Sequence, residues 1–71
     1  MTDIPVAELQ QVGRRHSIDY DYSFDPTTVE VRRLAAEVRA SAADSIDSAG
    51  LLAEADDLEA LAARHEREAD A

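Results

Sequence analysis

Between Ser17 and Phe24 the chain alternates: Ile18, Tyr20, Tyr22 and Phe24 fall on one side, Asp19, Asp21 and Ser23 on the other. A period of two is that of a half-buried strand. No second strand is available, so the segment is expected to be a lone strand or extended arm, paired across a dimer or with a partner. Beyond it the period becomes helical. Val31, Ala35, Val38, Ala42 and Ser45 form one stripe, and Leu51, Ala55, Leu58, Ala62, His65 and Ala69 a second, both repeating at alternating steps of four and three. The stripes are out of phase across "DSIDSAG", where Asp47 or Ser48 can cap a new helix. Two helices, over 26–45 and 48–67, are therefore expected, folded as an antiparallel hairpin. Turning the chain near Ser48 sets Val31 against His65, Val38 against Leu58 and Ser45 against Leu51. Ala35 then meets Ala62 and Ala42 meets Ala55, which lets the backbones approach closely.

Local chemistry marks the ends. "DPTT" reads as a helix start, with Asp25 capping and Pro26 in the first turn. Upstream, "TDIPVAELQQVG" predicts a short helix within 2–13, capped by Thr2 or Asp3 and closed by Gly13. The division along the chain is a single small domain, 1–71: N-terminal helix 1–13, aromatic and acidic arm 14–25, hairpin 26–67 and frayed tail 68–71. The fold class is mainly α. A further set, Leu34, Ile46, Leu52 and Leu61, is left on the hairpin and needs a cover, which the N-terminal helix and the arm can supply in the same chain or across a dimer.

Composition narrows the function. The chain has 71 residues and about seventeen large apolar side chains, a core near the lower limit for independent folding, with no cysteine to staple it. Self-association or a partner is expected to complete the burial. Its net charge is −9, and every one of its seven Lys/Arg cations is arginine. No stretch forms a basic face, so direct binding to nucleic acid or an anionic membrane is not expected. No leader or membrane-spanning run is seen, and a cytoplasmic location is expected.

Motifs for chemistry are sparse. "DYDYSFDPTTVE" places Asp19, Asp21, Ser23, Asp25, Thr27 and Glu30 at a spacing that resembles an EF-hand calcium loop. Phe24 stands where that family turns on glycine, and Pro26 where it carries an aliphatic residue. An acid-flanked strand leading into a capped helix accounts for the same letters, so no metal and no cofactor are expected. His16 and His65 lack zinc-type partners, and His65 reads as a structural histidine on the core stripe. With two glycines and no nucleophile elbow, phosphate cradles and enzymatic sites are not expected. The order strand, helix, helix over 17–67 resembles, in topology, the ribbon-helix-helix fold of small dimeric repressors. That resemblance implies a strand whose outward face meets DNA, but here the face carries Asp19, Asp21 and Ser23, and acids repel phosphate. The leading expectation is a small acidic, non-enzymatic interaction or regulatory protein. It would dock on a partner, or on a second copy as a homodimer, through Tyr20, Tyr22, Phe24, Leu34 and Leu61. The alternative is an acidic inhibitor, antitoxin-like or a nucleic-acid mimic, that engages a basic protein through Glu54, Asp57, Glu59, Glu66 and Glu68.

Overall fold

Three helices follow one another in the computed structural model, which describes residues 2–70; Met1 and Ala71 lie outside it. They are α1 (Val6–Arg15), α2 (Thr28–Ala42) and α3 (Ser48–Asp70). Helices α2 and α3 form the hairpin, in the register that the stripes require. Val31, Ala35, Ala42, Ala55, Leu58 and Ala62 are all buried, and Val38 packs against them half-buried. Arg32 reaches Glu66 at 2.5 Å and Arg39 reaches Glu59 at 2.6 Å. Each ion pair sits one residue further along both helices than the expected pairs Val31/His65 and Val38/Leu58. Arg39 also grips Asp56 at 2.6 Å, bridging two turns of α3. The 23 residues of α3 span about 35 Å at 1.5 Å per residue, which sets the 39 Å long axis of the molecule.

Helix α1 packs against α3 and not against α2. It runs antiparallel to α3, since Glu8 meets Arg64 and His65 while Arg15 and His16 meet Asp57. Its apolar side, Leu9 and Val12, joins Ile4, Leu58 and Leu61 in one core. The cover for Leu61 thus comes from the same chain. It stops short of the other end of that stripe, where Ile46 is fully exposed and Leu52 is 42% exposed.

Several ends differ from the sequence expectation. Helix α1 begins after Pro5, because the preceding residues are used elsewhere. Ile4 N–H donates to the Pro26 carbonyl at 2.7 Å and Thr28 N–H to the Thr2 carbonyl at 2.8 Å, around a single antiparallel bridge between Asp3 and Thr27. The cap comes from the arm: the Asp25 carboxylate accepts from Val6 N–H at 3.0 Å. Asp25 therefore serves α1, not α2. Thr27 caps α2 instead, accepting from Glu30 N–H at 3.1 Å, and Pro26 is buried before it. Helix α2 ends at Ala42, three residues earlier than expected, while α3 continues through Asp70, past the expected end at residue 67.

Gly13 does not close α1; it lies inside the helix and is buried. The helix ends at Arg15, and two residues on Ser17 adopts a left-handed conformation (φ 58°). Ile18 N–H returns to the Gly13 carbonyl at 2.8 Å and Ser17 N–H to the Arg14 carbonyl at 3.3 Å. This is a Schellman motif with serine at the position usually held by glycine. Nor is there a strand at 17–24. Among the described residues the only β pairing is the Asp3–Thr27 bridge. The alternation drives burial without pairing, and the ribbon-helix-helix topology accordingly does not form.

Candidate functional site: the arm and its junction

The arm, here residues 18–26, turns where α1 and α3 meet, and Tyr20 fixes it there. The Tyr20 ring is buried over Gly13, where a Cβ would come within 3.0 Å of the ring and 2.5 Å of the Ile18 carbonyl oxygen. Glycine is needed at 13 for this close approach. The Tyr20 hydroxyl donates to Glu54 Oε2 at 2.5 Å, and the Tyr20 carbonyl accepts from the Gln10 side chain. Glu54 is only 3% exposed. A carboxylate so buried needs a donor, and the phenol supplies it. Burial first, then the hydrogen bond and charge of Glu54, raise the Tyr20 phenol above its ordinary value near 10.0.

From this anchor the arm climbs outward. Tyr22 is half-buried against the core, and Phe24 is 60% exposed. The two rings meet edge to face at a centroid distance of 6.3 Å. Beside Tyr22 a cleft runs along one side of α2, lined by Tyr22, Glu30, Arg33, Leu34 and Glu37. Glu30, Leu34 and Glu37 are spaced i, i+4, i+7, so they share one face of the helix. Tyr22 and Leu34 in the cleft, with Phe24 against Tyr22, make up an apolar ledge.

Of the five residues expected to dock, the structure therefore places Tyr20 and Leu61 in the core and Tyr22, Phe24 and Leu34 at the surface ledge. The oxygen ligands of the calcium-like spacing are dispersed. Asp25 caps α1, Thr27 caps α2, and Glu30 receives the Thr27 hydroxyl at 3.4 Å. Among the described residues no group of three or more His, Asp or Glu side chains is gathered as a metal-binding set.

The acid array expected on α3 is likewise broken up. Glu54 is in the core, Asp57 bonds His16 at 2.8 Å, and Glu59 and Glu66 bond Arg39 and Arg32. Glu68 lies 3.9 Å from Arg64. The Arg39 and Arg32 hydrogen bonds hold the Glu59 and Glu66 carboxyls below the ordinary carboxylate range, and the same bonds raise the two guanidinium groups. His65, placed on the core stripe by its spacing, is a structural histidine 3.0 Å from Glu8 of α1. Glu54 was missed by reading acids as a solvated face. Its signal was present, since Glu54, Leu58 and Leu61 stand at i, i+4, i+7 and so share the face that α1 and the arm cover.

No helix among the described residues is long and apolar enough to cross a membrane. No protein-family model, curated protein or solved structure matches this chain.

Proposed function

We propose that this is a small, non-enzymatic protein-interaction or regulatory protein, cytoplasmic, that docks through the ledge formed by Tyr22, Phe24 and Leu34. The observation that carries this reading is the contrast within the arm. Tyr20 is locked by three partners, while Phe24, four residues on, stands 60% exposed with its ring braced by Tyr22. A large aromatic exposed to water offers much apolar area with only two side-chain torsions to order on binding, which is the profile of an interface anchor. Among the described residues the other exposed large hydrophobics, Val29, Ile46 and Leu52, lack such bracing by a neighbouring ring.

The competing reading, an acidic inhibitor or nucleic-acid mimic, draws on the net charge of −9. Against it, the acids of α3 that would form the mimic are buried or paired with Arg or His of the same chain. The two readings respond differently to salt, because apolar docking persists where charge mimicry is screened. The test is paired affinity capture from the source extract, at low and high ionic strength, with light scattering on the purified protein. Tyr22→Ser with Phe24→Ser should lose the captured partner, or self-association, while retaining the helical circular-dichroism signal. Retention of every partner by that variant would refute the reading.

A further inference from the structure

Four of the seven arginines serve acids away from the ledge. Arg15, Arg32, Arg39 and Arg64 are all engaged with acids of α1 or α3. The arm has no such compensation. Asp19 and Asp21 are exposed and, like Glu37 in the cleft, take part in no ion pair or side-chain hydrogen bond among the described residues. Glu30 lines the same cleft, and the cleft's one cation is Arg33. The cleft beside the apolar ledge thus holds two acids to one cation, with the unpaired Asp21 next to Tyr22 in the chain.

We infer that the ledge receives a basic amphipathic helix of another protein, its apolar stripe on Phe24, Tyr22 and Leu34 and its Arg or Lys flanks on Asp21, Glu30 and Glu37. This rests on the proposed docking role and names its partner. Glu30, Leu34 and Glu37 recur at helical spacing, so a helix lying along α2 would set one apolar side chain at Leu34 with a cation one turn to either side. Charge argues against a second copy of this chain as the occupant. Facing two ledges together would set Asp21, Glu30 and Glu37 against the same three acids with one Arg33 on each side, and such like-charge apposition is unfavourable.

The test uses the intact protein and two synthetic helical peptides with the same leucine stripe, one flanked by arginine and the other by glutamate. Fluorescence anisotropy measures affinity, and amide chemical shifts locate the contact. The arginine peptide should bind and shift Tyr22, Phe24 and Leu34, and the glutamate peptide should not. Raising the salt from about 0.05 M to about 0.5 M should weaken binding roughly tenfold. Phe24→Ser should weaken it by about the same factor, with circular dichroism confirming the fold. Asp21→Asn with Glu37→Gln removes two acids that hold nothing inside the molecule, and should flatten the salt dependence. Equal binding of the two peptides, absence of binding by either, or shifts confined to another surface overturns the inference. So does a dimer, seen by light scattering, that Phe24→Ser dissociates. That last result would leave the docking role standing and assign the ledge to a second copy.

Discussion

Ser17, Gly13, Tyr20 and Glu54 carry most of what holds the arm in place, and each makes a separable prediction. Ser17 sits at φ 58°, a conformation that costs an L-residue roughly 1–2 kcal/mol and glycine almost nothing. Ser17→Gly should therefore stabilise the fold by about 0.5–1 kcal/mol, after allowing for the extra freedom of the unfolded chain. Chemical denaturation measures this directly. Gly13→Ala should act oppositely. Its Cβ would press on the Ile18 carbonyl, which is backbone and cannot swing aside, so a loss of about 1–3 kcal/mol is expected. Tyr20→Phe keeps the ring and removes only the donor to Glu54. The buried carboxylate then lacks its partner, and about 1–3 kcal/mol should be lost. If Glu54→Gln had the same effect in the Tyr20→Phe background as in the wild type, the two residues would not be coupled. The sequence revealed these residues unevenly. The alternation at 18–24 located the buried aromatic, but it could not distinguish a glycine that ends a helix from one that admits a ring, because that depends on what crosses it.

Among the elements, the hairpin was legible and the arm was not, for one physical reason. Stripes at steps of four and three bury themselves against any matching stripe, so periodicity alone fixes α2 against α3. Leu58→Ala should cost about 2–5 kcal/mol, whereas Leu52→Ala, on the exposed side, should stay within about 0.5 kcal/mol. Equal thermal shifts for the two would contradict this packing. The arm's fate depended on hydrogen bonds between distant residues. Asp25 was expected to cap the helix that follows it, and it caps α1, whose first turn lies beside it only in the folded chain. Asp25→Ala should lower stability by about 0.5–2 kcal/mol, and amide exchange should rise in the first turn of α1 more than in α2. A faster first turn of α2 instead would return the cap to the place the sequence suggested. The Glu30–Leu34–Glu37 face was readable as helix, but its cleft with Tyr22 was not, since it needs the arm to fold back.

On the scale of the whole molecule, stability should fall at both extremes of pH, for different groups. Glu59 and Glu66 bind protons less readily folded than unfolded. Their contribution is present above the ordinary value near 4.5 and lost as the pH falls through the lowered folded value. Both pairs lie at the surface in contact with solvent, so the effect is small, and Glu59→Gln with Glu66→Gln should flatten the acid limb of a melting-temperature profile. Tyr20 binds its proton more tightly when folded. Its contribution is whole below about pH 10 and disappears as the pH rises through the raised folded value. Alkaline unfolding should therefore coincide with tyrosinate absorbance from Tyr20, and Tyr20→Phe should remove that coincidence. The clasp between residues 2–4 and 26–28 bears on how the chain responds to cutting. It ties the first helix to the second by backbone bonds across the base of the arm. A protease that nicks the chain beside Phe24 would sever the covalent path but none of these bonds. The two pieces should stay together through native chromatography and separate only in denaturant, so that the protein could be rebuilt by mixing the halves.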